Sequence, residues 1–272
     1  MTWGLSASGA GQAGPDMNAA VAIADGDSLP RPGRGVAIEA HALTRRFGAR
    51  LALDALTLRI ERGESFALLG ANGAGKTTFI RLVTGALLPS SGSLTVDDIS
   101  PALRPAEVHA RIGFVMETSR LYPELRVRGF LRVMGGARGL AGAALVQAVD
   151  AALARFHLEP VASRLVGNLS KGYQQRVSLA QAFLSDPPLV IVDEPTGGLD
   201  PVQRREVQSL LRGLRGKCTL LLCTHDLEEA RTLATRVGVL NAGRLVAEGE
   251  PSALLGGDDE LALFRADAER AT

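Results

Sequence analysis

Lysine is scarce in this chain: it supplies 3 of the 30 basic residues, at positions 76, 171 and 217. The matching surplus of Arg and Ala reads as a high-G+C coding bias, which concerns the genome, but it makes Lys76 and Lys171 stand out. Cysteine is rarer still. Cys218 and Cys223 share one apolar run, CTLLLCT, so they read as thiols of a buried strand, which argues against a disulfide framework and for a reducing cytosol. No stretch approaches the roughly 20 apolar residues of a membrane-spanning helix, so work at a membrane would need a partner to do the spanning. The opening MTWGLSASGAGQAG has neither a basic start nor an apolar centre and does not resemble a secretory signal. Charge of one sign is also missing. The formal net charge is +1 and the basic residues are scattered, leaving no dedicated nucleic-acid or anionic-lipid surface and no nucleic-acid partner to expect.

What is present is packing material: 272 residues at 46% hydrophobic content suffice for one large domain, or a domain with a subdomain. Residues 1–35 are rich in Gly, Ala, Pro, Ser and Asp without hydrophobic periodicity, and are expected to be a disordered leader, with Met17 as an alternative start. From Val36 the pattern changes. VAIEA, LTLRI, FALLG, LTVDD and IGFVME read as strands. Residues 125–157 read as helix-rich, with Leu131, Val133, Leu140, Leu145, Val149, Leu153 and Phe156 supplying apolar faces. A helix follows Gly172; then the strands LVIVD, TLLLCT, VGVLN and RLVAEG alternate with helices starting near Pro201 and Asp226. That alternation predicts an α/β core with a mostly parallel sheet and helices on both faces. The helical stretch 118–170 interrupts it and is expected to form a subdomain. No internal repeat is present, so one nucleotide-binding unit is expected.

GANGAGKTT, residues 70–78, lies directly after the apolar run Phe66 to Leu69 and directly before the helix-like FIRLV. That is the context of a phosphate-binding loop. Gly70, Gly73 and Gly75 let backbone amides turn inward around phosphate oxygens, and the following helix offers its positive end. Lys76 would neutralise the outer phosphates, and Thr77 would offer a hydroxyl to Mg²⁺. The plainer alternative is a Gly-rich turn before an ordinary helix. LVIVDE, residues 189–194, is an apolar strand ending in two carboxylates. Asp193 would face the metal, and Glu194, sent elsewhere by strand alternation, would act as general base for an attacking water. Its alternative is a solvated acidic turn.

GANGAGKTT, then LSKGYQQR at 169–176, LVIVDEPTGGLD at 189–200 and His225 after a strand together resemble the ordered motif set of ABC-type ATPases. The likeness runs from about residue 36 to 255, with 256–272 left as a tail, and LSKGYQQR is what separates that family from other phosphate-loop proteins. It implies a phosphate-loop NTPase fold with an antiparallel β portion and the inserted helical subdomain. It implies ATP and Mg²⁺ as ligands, held by Gly70, Ala71, Asn72, Gly73, Ala74, Gly75, Lys76, Thr77 and Thr78. By the same likeness Asp193 and Glu117 join Thr77 at the metal, Glu194 is the base and His225 senses the γ-phosphate. Phe47 stacks on adenine, with a core-edge Phe as the alternative. Ser170 and Gly172 meet the γ-phosphate of ATP held by an opposite subunit, and Gly198, Leu199 and Asp200 form a dimer-contact loop. The signature carries Lys171 and Tyr173 in place of the commoner Gly and Gln; Lys171 reads as a solvated side chain or a phosphate contact.

Glu117, in IGFVMETSRLYP, replaces the Gln usual in that family and resembles the branch serving ABC-2-type export permeases. The expectation is therefore an ATP-hydrolysing subunit, peripheral on the cytoplasmic face of the inner (plasma) membrane. It would pair with itself or a homologous ATPase subunit and drive a separate ABC-2-type permease. The competing readings are a soluble ABC ATPase of the iron–sulfur assembly type and the ATPase of an import system.

Overall fold

The computed structural model describes residues 35–117 and 121–255. The expected leader, but for Gly35, the alternative start Met17 and the tail 256–272 lie outside the described residues.

Two sheets form. The smaller has the order β2 (Arg50–Glu61), β1 (Val36–Phe47), β4 (Ser91–Val96) and is antiparallel throughout. The larger runs β5 (Ile112–Val115), β6 (Leu189–Asp193), β7 (Thr219–Thr224), β3 (Ser65–Leu69), β8 (Arg236–Asn241), β9 (Arg244–Gly249). Its first five strands are parallel and β9 closes the edge antiparallel to β8. This is the mostly parallel α/β core that the alternation predicts, with the antiparallel portion implied by the family likeness.

Strand alternation explains why the central strands read as unbroken apolar runs. Phe66, Leu68, Leu189, Ile191, Leu221 and Cys223 point into one core, and Ala67, Leu69, Val190, Val192, Leu220 and Leu222 into the other. Both faces are covered, so polar residues are confined to the strand ends, at Ser65, Asp193, Thr219 and Thr224. The first core is closed by the small sheet and by α1 (Lys76–Val83), through Phe79, Ile80, Leu82 and Val83. The second is closed by α3 (Val127–Ala137), α4 (Gly142–Arg155), α5 (Lys171–Ala182), α6 (Pro201–Arg212) and α7 (Leu227–Leu233). Among the described residues, two short helices, α2 (Pro105–His109) and α8 (Pro251–Leu254), complete the set of α-helices. Each fully buried Leu, Ile or Phe contributes roughly 1.5–3 kcal/mol, so Phe79 and Ile80 anchor the start of α1, and with it the phosphate loop, to the sheet.

Three expectations are corrected. Val133 does not supply a core face: α3 buries Val127, Phe130, Leu131 and Gly135, and on a 3.6-residue period Val133 falls opposite them, 51% exposed. The first strand does not stop at Ala40 but continues to Phe47 through register shifts that bend it. Strand β5 ends at Val115, so Glu117 sits in the loop beyond rather than in the strand. Both cysteines are free and buried as expected; burial pushes the Cys218 thiol up to about 12 and Cys223 well above its ordinary value.

Candidate functional site

The phosphate loop leaves β3 between its neighbours β7 and β8, and the Gly70 amide donates to Thr224 O at 3.2 Å, tying the loop to the end of β7. Gly75, at φ +118, caps α1 from the left-handed region, and a Cβ there would lie 2.7 Å from Ala52 O and 2.9 Å from Leu53 Cδ2. Only glycine lets the hairpin of β1 and β2 close over the loop at this point. The cleft so formed is lined by Phe47, Arg50, Ala52, Ala71, Asn72, Gly73, Gly75, Lys76, Thr77, Thr78, Glu117, Asp193 and Glu194. Gly70 and Ala74 lie behind the lining: Gly70 packs against Leu240 O, and Ala74 is buried in the core beneath.

Lys76, 7% exposed, donates from Nζ to Gly70 O at 2.5 Å and to Ala71 O at 3.3 Å. Its ammonium is 3.8 Å from Glu194 Oε1. Strand β6 delivers Asp193 to the cleft, and at Glu194 the backbone swings to φ 48, a left-handed conformation uncommon outside glycine. That turn, held by the Glu194 amide on Cys223 O at 2.8 Å, ends the strand between the two carboxylates, and both line the cleft. Glu194 Oε1 accepts from His225 Nδ1 at 2.8 Å and its Oε2 from Thr224 Oγ1 at 3.4 Å. His225 itself lies outside the cleft lining, its side chain 59% exposed, so it reaches the site through Glu194.

Three carboxylates crowd one end of the cleft. The Asp193 carboxyl is pushed from its ordinary 3.8 up to about 6, first by burial, then by Glu194 and Glu117, with Lys76 opposing. A cation there would relieve the crowding. Among the described residues no cluster of three His, Cys, Asp or Glu side chains is tight enough to hold a metal alone. Thr77, Asp193 and Glu117 instead offer a few hard oxygens along an open cleft, which suits Mg²⁺, an ion that keeps waters and takes phosphate oxygens beside one or two carboxylates.

Ser170, Gly172 and Asp200 are not brought to this cleft. Ser170 is the N-cap of α5, its Oγ accepting from the Tyr173 amide at 3.4 Å, and Asp200 caps α6, its Oδ1 accepting from the Val202 and Gln203 amides at 2.9 Å. Gly172 lies against the Gln203 side chain, which a Cβ would meet at 2.8 Å, and a Cβ on Gly198 would collide with Lys171 Nζ. The loop before α6 and the start of α5 therefore form one continuous surface. Phe47 stands at the cleft, 44% exposed, and not at the edge of a core.

Arg50, Ala52 and a buried pair beneath the site were not foreseen. Thr196 Oγ1 donates to Glu229 Oε1 at 2.7 Å, with the two residues 2% and 1% exposed, linking the loop after β6 to α7. Burial raises the Glu229 pKa, and hydrogen bonds from Thr224 and Thr196 pull it back. Thr196 lies within the LVIVDEPTGGLD motif, but its partner Glu229 is 33 residues away and no spacing flags the pair.

Residues 53–197 match the family described as ABC transporter. The chain is 38% identical over 229 residues to Nod factor export ATP-binding protein I of Cupriavidus pinatubonensis, covering 84% of this chain and 70% of that protein. It is 40% identical over 222 residues to the protein of the same name from Bradyrhizobium diazoefficiens, covering 81% and 72%. Among solved structures it is similar to cbiO1 of Clostridium perfringens, described as part of the ABC transporter complex cbiONQ, with TM-score 0.76 and 26% identity over 86% of this chain and 96% of that one. It is also similar to the ATP-binding cassette MJ0796, solved as a dimer in a post-hydrolysis state with ADP and Pi, with TM-score 0.69 and 27% identity over 79% and 98%.

Proposed function

The chain belongs to the ABC transporter family, and on that premise we propose that it energises export through a separate membrane permease of the ABC-2 type. It is an ATP-binding subunit and a transport-coupled ATPase. No helix among the described residues is long and apolar enough to cross a membrane; in the export reading the path for cargo belongs to the permease, with this subunit peripheral on the cytoplasmic face of the membrane. Export is supported by the names of the curated relatives. The ABC-2 assignment is supported by Glu117, which lines the cleft with Asp193.

The observation that carries the chemistry is the placement of Glu194, 2.8 Å from His225 and 3.8 Å from Lys76 in the cleft of the phosphate loop. The loop amides and the N-terminus of α1 bind the phosphates. Phe47 stacks on the base. Glu194, turned out of line with β6, accepts the proton of the water that attacks the γ-phosphorus, and His225 Nδ1–H holds that carboxylate in place. Thr77, Asp193 and Glu117 would hold Mg²⁺, whose charge offsets that of the phosphate oxygens. A second copy, or a homologous subunit, presents Ser170 and Gly172 across the phosphates. ATP then bridges two subunits, so binding favours the closed pair and hydrolysis reopens it.

Glu194→Gln keeps the shape and removes the base. Steady-state hydrolysis is expected to fall by about 10²–10⁴-fold with ATP binding retained, and a variant keeping half the wild-type rate would sink the role. Gentle detergent extraction of the tagged subunit should bring a polytopic membrane protein with it; recovery of iron–sulfur assembly proteins instead would overturn the transport reading.

A further inference from the structure

The hairpin joining β1 to β2 turns at Gly48 and Ala49 and pairs Phe47 directly with Arg50. Residues directly opposite in an antiparallel pair stand on one face of the sheet, and both of these line the cleft. Phe47 is held from outside it: the Arg45 guanidinium carbon lies 4.5 Å from the ring centroid and Arg45 Nη1 donates to Leu88 O at 2.9 Å. Arg45 is not among the lining residues, so the ring keeps contact with a cation on the protein side while facing the cleft.

Arg50 has no such engagement. Among the described residues it makes no ion pair or side-chain hydrogen bond. Its Nη2 comes within 4.0 Å of the point where a Cβ on Gly73 would stand, and Gly73, at φ +88, has no side chain to keep it off the phosphate loop. The cleft is lined by three carboxylates, Glu117, Asp193 and Glu194, against two cations, Lys76 and Arg50. Lys76 is committed to Gly70 O, Ala71 O and Glu194. A polyanion entering this cleft therefore meets one cation already engaged and one, Arg50, with its planar fork of donors uncommitted.

We propose that Arg50 is a phosphate-binding residue of the nucleotide site, working beside Phe47 so that the tip of one hairpin takes both ends of the ligand, the ring the base and the guanidinium the phosphate oxygens. The inference rests on the ATP reading. Because Arg50 is exposed, its contribution is that of a screened charge-assisted contact, roughly three- to ten-fold in affinity, and it weakens with salt.

The test is displacement of a fluorescent ATP analogue by ATP, ADP and AMP from the full-length wild type, Arg50→Gln and Arg50→Lys, at low and high salt. The Gln variant should lose about three- to ten-fold in affinity for ATP, less for ADP and least for AMP, with the difference shrinking at high salt and the Lys variant recovering part of it. An equal loss for all three nucleotides would assign Arg50 to the base or to hairpin shape and overturn the proposal, as would no loss at all. If the wild type binds none of the three, the ATP reading itself fails, which is a different outcome from an intact wild type with an indifferent Arg50.

Discussion

Asp193 is buried at the end of β6 with Glu194 and Glu117 for neighbours, and its carboxyl is raised from 3.8 to about 6. The sign of the consequence follows from linkage. A carboxyl whose folded value is raised binds more protons in the folded state, so this group lowers stability as pH rises through the window from about 4 to about 6. In nucleotide-free protein Asp193→Asn should therefore stabilise, and the gain over wild type should grow by roughly 1 kcal/mol between pH 5 and pH 7.5. Thermal unfolding of both proteins at the two pH values measures it, and a gain that is flat with pH would show that the carboxyl is not strained. The residue was legible from LVIVDE. The strain was legible only in part: the charge of Glu194 is adjacent in the chain, but the burial that leads the shift, and the further charge of Glu117 from the loop between β5 and α3, come from the tertiary structure.

Among the elements, the junction of the loop after β6 with α7 hangs on the Thr196–Glu229 hydrogen bond at 2.7 Å. Thr196→Val leaves a carboxylate that is 1% exposed short of a donor, at a cost of about 1–3 kcal/mol. The melting midpoint should fall by several degrees, and in a double-mutant cycle with Glu229→Met the two losses should be far from additive, since removing both partners is cheaper than orphaning one. Additive losses would show that the contact does not hold the junction. Element types were readable because a parallel strand covered on both faces is an unbroken apolar run, as in TLLLCT, whereas α3 misled at Val133 because a short helix with several apolar residues does not declare which side meets the sheet.

For the whole molecule, Ser170 and Asp200 are exposed away from the cleft of their own chain, with Gly172 buried beside them against Gln203, so in the proposed pair each cleft is completed by the other subunit. Ser170→Arg should suppress hydrolysis while nucleotide binding by the isolated chain is retained. Lys76→Ala should weaken binding itself. Mixing the two variants gives pairs with one site wholly intact and one doubly damaged, so activity should reappear on mixing if one site can turn over alone. Homogeneous Ser170→Arg protein with wild-type activity would contradict the arrangement across two subunits.

The sequence by itself determined the class of this protein, because the phosphate loop, the LSKGYQQR signature and the LVIVDE strand each impose a local geometry through residues adjacent in the chain. Strand order, the left-handed turn at Glu194, the reach of His225 to that carboxylate and the placing of the β1–β2 hairpin over the phosphate loop were decided only by the tertiary structure. These depend on which strands lie side by side: β7 falls between β6 and β3, and so brings His225 to Glu194 across 31 residues, a distance over which no local pattern carries information.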